Sequence, residues 1–197
     1  MRINQISTVI LLVTSVSVLF LACKKKNIED NECDASKLKG TYYSIRQFTR
    51  DHFDMYKGTP YGFKKVSVLN DKKDTAYENI YTVDWPMILK TFFETDISDR
   101  KYLCHYNFSL FEDSLTDTRN YYYEAKDQNL FTRKLIVSTD PETEKVVSIY
   151  IETEKKTMFT YQSQKLLYMP LKVIQIQRYE KKLFGSPQNL FLEYHFM

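Results

Sequence analysis

The sequence predicts an α+β domain: N-terminal amphipathic helices packed on one curved antiparallel meander sheet of seven or eight strands, a half-barrel. Three observations carry this. Apolar residues recur at helical spacing in two early segments, the period changes to two after residue 100, and turn-forming clusters separate the alternating stretches. A closed lipocalin-like barrel is the alternative architecture for the same pattern.

The first helix is expected from about Leu38 to Lys57, with Ile45, Phe48, His52, Met55 and Tyr56 on one face. Gly58 stands where a C-cap belongs, and Pro60 follows. A short strand at Phe63–Leu69 ends at Asn70-Asp71. Asp84 is a natural N-cap for the second helix, Pro86 suits its first turn, and Trp85, Ile88, Leu89, Phe92 and Phe93 form its apolar stripe to about Thr95. The alternating stretches come next, and include Tyr106-x-Phe108-x-Leu110, Tyr121-x-Tyr123-x-Ala125, Leu135-x-Val137, Val147-x-Ile149-x-Ile151 and Ile174-x-Ile176. The last is Leu190-x-Leu192-x-Tyr194-x-Phe196. Asp113–Asp117, Asp127-Gln128-Asn129, Asp140-Pro141-Glu142, Lys155-Lys156, Met169-Pro170 and Gly185-Ser186-Pro187 separate the strands. Strands of this kind need cover on one face, and the two helices supply it.

Composition bounds the function classes. At 197 residues the chain suits one domain with a real core, and 43% hydrophobic with 15% aromatic residues excludes disorder. A formal charge of +3 with both signs interspersed gives no reason to expect nucleic acid. Four glycines are too few for phosphate loops, nucleophile elbows or solenoid turns.

The N-terminus carries the most specific signal. Arg2 is the sole charge before Lys24, and Val9–Leu21 is an uncharged apolar run of 13 residues. At about 1.5 Å per residue this is too short for a hydrocarbon core of roughly 30 Å. The pattern is that of a secretory signal. Its close, Phe20-Leu21-Ala22-Cys23 followed by Lys24-Lys25-Lys26, resembles the lipobox of bacterial lipoproteins, in which a small residue precedes the cysteine that is acylated. Ala22 and Cys23 match; Phe20 departs, Leu being usual there.

The resemblance implies a signal peptide over residues 1–22, palmitate-type acylation of Cys23, and an anchor of more than one chain. An uncleaved anchor helix is the competing reading. An Asp after the cysteine would imply inner-membrane retention; Lys24 implies the outer membrane, with the periplasmic side favoured over the cell surface. Residues 23–36 form the tether and 37–197 the envelope domain, and Glu29, Asp30, Glu32 and Asp34 suit either a solvated tether or a surface-export signal. In that oxidising space Cys33 and Cys104 either bridge or stay separate, with Cys104 as a small hydrophobe.

No constellation signals catalysis. His52 reads as a core or boundary histidine, and Cys104-His105, adjacent on an expected strand, would point to opposite faces. His195 sits close to the chain end. Glu152 and Glu154 share a strand face about 7 Å apart, loosely within the range of an inverting glycosidase, but alternating glutamates on a solvent face are commoner. The acidic turns 71–74 and 113–117 lack calcium-loop spacing, and no metal or cofactor is expected. Tyrosines at 102, 106, 121–123, 150, 161, 168, 179 and 194 suit cross-strand pairing first, and a groove for a lipid or glycan second.

The C-terminal LFLEYHF is similar to the last strand of an outer-membrane barrel, but the other strands lack a lipid-facing band. Three functions stay open. The first is a non-enzymatic envelope module binding a lipid or other apolar ligand, by analogy with the architecture of envelope lipid carriers. The second is an assembly lipoprotein that binds an envelope protein through an aromatic patch or a free edge strand. The third is an envelope hydrolase.

Overall fold

The computed structural model describes residues 42–197, which belong to one compact unit, Asp34–Met197. The readings of Cys23, Cys33, the signal segment and the tether lie outside the described residues.

Helix α1 spans Ile45–Tyr56. Ser44 caps it, its hydroxyl accepting from the Gln47 N–H at 3.2 Å, so residues 42–44 precede the helix rather than belong to it. Ile45, Thr49 and Tyr56 are buried, with Phe48, His52 and Phe53 half-buried beside them. These positions follow the 3.6 period. Met55, expected on the same face, falls off the stripe and is 63% exposed.

Strands β1 (Gly62–Leu69) and β2 (Lys72–Asn79) form a hairpin. Its two-residue turn holds Asn70 at φ 46° and Asp71 at φ 69°, the left-handed pair of a type I′ turn. β2 has no counterpart among the expected strands. Its sequence, KKDTAYEN, is charged and largely exposed because it lies at a sheet edge, where lysines discourage further pairing.

Helix α2 spans Trp85–Phe93. Asp84 caps it, accepting from Met87 N–H at 3.1 Å, and the Trp85 indole donates to Ile80 O at 2.8 Å. Among the described residues only α1 therefore precedes the sheet; α2 enters after the first hairpin. A 3₁₀ helix, Arg100–His105, then leads into β3 (Tyr106–Asp113), β4 (Thr118–Ala125), β5 (Thr132–Thr139), β6 (Val146–Lys156), β7 (Thr160–Met169), β8 (Val173–Lys182) and β9 (Gln188–Phe196).

All nine strands form one antiparallel sheet, ordered β2-β1-β9-β8-β7-β6-β5-β4-β3. This corrects the expected count of seven or eight. The last strand returns to the first, with Phe63 opposite Phe196, so the meander is closed off by an early hairpin. Among the described residues β2 and β3 are the two edges and do not pair with each other: the sheet is open, and the closed lipocalin-like barrel is not formed.

Two cross-strand rows build the core. One runs Leu135–Ile151–Leu166–Ile176–Leu192; the other runs Val137–Ile149–Tyr168–Ile174–Tyr194. All ten are buried and share one face, as period-two alternation requires. Both helices meet that face. Phe48 and Phe92 each lie about 6 Å from the Tyr168 ring, and Trp85 packs on Phe63 at 5.7 Å. Each fully buried aliphatic or aromatic side chain contributes roughly 1.5–3 kcal/mol before entropy is counted. No described helix is long and apolar enough to cross a membrane.

The antiparallel order gives the sheet two ends. At one lie the turns β3–β4, β5–β6 and β7–β8; at the other lie β1–β2, β4–β5, β6–β7 and β8–β9.

Candidate binding groove

The residues singled out in the sequence do not converge. His52 Nδ1 lies 3.1 Å from Tyr56 Oη and 3.2 Å from Tyr168 Oη, and the two hydroxyls are 2.8 Å apart. Burial lowers the His52 pKa and pushes the Tyr168 phenol far above its usual range, so this cluster is a neutral hydrogen-bonded joint between α1 and β7. His105 ends the 3₁₀ helix, and His195 meets Glu193 Oε1 at 2.6 Å on β9.

Cys104 and Tyr102 also lie in the 3₁₀ helix rather than on the strand expected for them. Cys104 is disulfide-bonded; the other two cysteines of the chain, Cys23 and Cys33, lie outside the described residues.

Glu152 and Glu154 do share a face of β6, but each meets a cation. Glu152 Oε1 lies 3.6 Å from Lys134 Nζ and accepts from the Tyr150 hydroxyl at 2.7 Å; Glu154 lies 3.8 Å from Arg133 Nε. Tyr123 and Tyr194 are buried in ring contacts with Phe108 and Phe63 on neighbouring strands, Tyr168 is buried against Phe92 of α2, and the buried Tyr106 donates its hydroxyl to Thr132 O at 2.8 Å.

A groove of about 730 Å³ opens among the described residues. Its walls are Glu94 at the end of α2, Gln128, Asn129 and Phe131 before and at the start of β5, Arg133, the segment Glu154–Lys156, and Gln162. Hydrogen bonds fix these walls. Thr132 Oγ1 donates to Thr95 O at 3.0 Å, which ties β5 to the end of α2. Asp127 Oδ1 accepts from both Asn129 N and Nδ2 at 2.8 Å, and Arg133 Nη1 donates to Asp127 O at 2.9 Å.

A register shift between Thr132 and Lys134 turns Arg133 out of the regular alternation. That shift explains why sequence periodicity missed the groove: strict alternation would put Arg133 on the inner face with Leu135 and Val137, and Lys155-Lys156 reads only as a turn. Lys155 and Lys156 are exposed, and neither pairs with a carboxylate among the described residues.

The arrangement offers one aromatic wall, amide donors and acceptors, and two free ammonium groups against an Arg133–Glu154 pair. It can seat an amphipathic molecule with an anionic group, in a volume within the range of ligand sites. Its lining holds no cysteine, serine or histidine to act as a nucleophile or its base. No family model, no curated protein and no solved structure matches this chain.

Proposed function

We propose that the chain is a membrane-anchored envelope lipoprotein, acylated on Cys23 and held on the periplasmic side of the outer membrane. Its domain is a non-enzymatic binding module for a lipid or other apolar ligand. The sheet curves as a half-barrel around the helices, and ligand enters at the open end of the covered face. The observation that carries this reading is the groove of about 730 Å³ with Phe131 on one wall and unpaired Lys155 and Lys156 at its mouth. A single-chain amphiphile with an anionic head fits that chemistry. The proposal includes a Cys33–Cys104 bridge, which would tie the tether to the domain.

Native mass spectrometry of the chain purified in detergent from its host envelope tests this. The expected result is an acyl mass on Cys23 and a non-covalent apolar adduct released by mild denaturation. A bare polypeptide mass overturns it. A non-reduced digest reads the bridge directly.

A second reading, docking of an envelope protein, draws on edge strand β3. No described strand pairs with its outer rim, and Leu110 and Phe111 on it are 53% and 48% exposed, which suits strand addition.

A further inference from the structure

We propose that the sheet end carrying the β6–β7 and β8–β9 turns is a bilayer-docking surface that seats on anionic phospholipid headgroups. Met158, Phe159, Leu183 and Phe184 enter the acyl boundary. These four side chains are 83%, 61%, 60% and 85% exposed. They form one patch, because Leu183 N–H donates to Phe159 O at 2.7 Å and Thr160 pairs with Lys182.

Charge decides the occupant. Lys155, Lys156, Lys181 and Lys182 flank the apolar tips, and residues 155–160 and 181–188 contain no acid. Lys182 has Glu180 at 3.4 Å; the other three pair with no carboxylate among the described residues. The centres of protein–protein interfaces are depleted of lysine. A bilayer instead accepts apolar tips one layer deeper than a ring of lysines, whose methylene stems lie along the boundary while their ammonium groups meet phosphates. The turn is also rigid before binding: Thr157 Oγ1 accepts from Thr160 N–H at 2.9 Å and Phe159 N–H at 3.3 Å, so little ordering cost opposes insertion.

This inference rests on the lipoprotein reading for its membrane, and the test lets the two fail separately. The full chain is placed in vesicles of phosphatidylcholine, with and without phosphatidylglycerol, containing lipids brominated in their acyl chains. An indole is introduced by Phe184→Trp or, at the opposite end, by Leu115→Trp, 95% exposed. Trp85, 6% exposed, supplies the common background.

Quenching of Phe184→Trp but not Leu115→Trp, on anionic vesicles, is the expected result. Lys155→Gln with Lys156→Gln then lowers the docked fraction by roughly twentyfold, each lysine near an anionic surface being worth about fivefold. Equal responses at the two ends, or quenching of Phe184→Trp that ignores phosphatidylglycerol, overturn the proposal. So does no quenching of Phe184→Trp on anionic vesicles, and a protein then becomes the occupant to seek. The acyl mass of Cys23 is read on the same sample. Whether an acyl group or the uncleaved apolar segment holds the chain, the tip response is unaffected.

Discussion

Both ends of the sheet are made of short hairpin turns in water, yet their side chains do different work. At the end with the β3–β4 and β5–β6 turns, the carboxylates build the backbone. Asp113 Oδ1 accepts from Leu115 N–H at 2.9 Å, and its Oδ2 accepts from the Thr116 hydroxyl at 2.8 Å. Asp140 Oδ1 gathers Thr143 N–H at 2.7 Å, the Thr143 hydroxyl at 2.9 Å and Glu142 N–H at 3.1 Å. Arg119 is held by Glu112 at 3.0 Å.

At the other end the β6–β7 turn is closed by Thr157, and the exposed side chains of Lys155, Lys156, Met158 and Phe159 make none of its hydrogen bonds. Where a charged residue is needed for the turn itself, its presence says nothing of function. Large apolar side chains and lysines that no turn requires are the residues to question.

The largest expected effect lies beneath the lysine end, in the loop after α2. Asp96 accepts from Ser44 Oγ at 2.8 Å, Arg46 N–H at 2.7 Å, Ser98 N–H at 2.7 Å and Ser98 Oγ at 2.6 Å, joining the start of α1 to that loop. Asp96→Ala should cost about 2–3 kcal/mol, a fall in Tm of about 4–12 °C in thermal unfolding.

Acid should act on the same joint. Burial alone would raise the Asp96 pKa, but its four hydrogen bonds outweigh burial and hold it below 3.8. Its stabilisation is thus present above that pH and is lost as the pH falls through the folded value. His52, lowered from 6.5 by burial, has the same sign: stability falls as the pH drops below about 6.5 and through the folded pKa. Thermal melts against pH should therefore show a first decline that His52→Gln removes and a later one that Asp96→Asn flattens.

At the acidic end, Asp140→Ala should quicken amide exchange at Thr143 by about an order of magnitude while leaving the tips at Phe159 and Phe184 unchanged. Leu171, in the β7–β8 turn, is like Leu115 an exposed apolar side chain at that end, 51% exposed and held at φ 55°. Leu171→Gly should raise stability by about 0.5–1 kcal/mol, since glycine adopts this region without strain but gains entropy on unfolding. A fall in Tm would show that the leucine packs usefully after all.

The smallest effect on stability is the sharpest for the comparison. Met158→Ser with Phe184→Ser should shift unfolding by no more than about 0.5 kcal/mol while abolishing vesicle docking. A large loss of stability would make these side chains structural and erase the difference between the ends.

Much of the architecture was legible from local chemistry. Asp84 with Pro86 marked α2, Asn70-Asp71 marked the end of β1, and alternation marked most of β3–β9, because each signal acts within a few residues. β2 was not legible, since an edge strand buries little and its charges carry no period. Met55 was misplaced because several apolar choices fit one short helix, and only the neighbours of α1 select among them. The groove was hidden for a related reason: it depends on the Arg133 register shift and on the end of α2 meeting β5 through Thr132 and Thr95.

The sequence by itself determined the α+β class, the two helices with the Asp84 cap of the second, and most of the strand alternation, because caps, turns and side-chain periodicity are properties of adjacent residues. Tertiary structure alone decided that β9 returns to β1, that the sheet stays open between β2 and β3, and that lysines and apolar side chains from separate turns share one end. The return of β9 to β1 depends on contacts between residues more than a hundred positions apart, and the shared end on contacts between separate hairpins, whose energies no local pattern encodes.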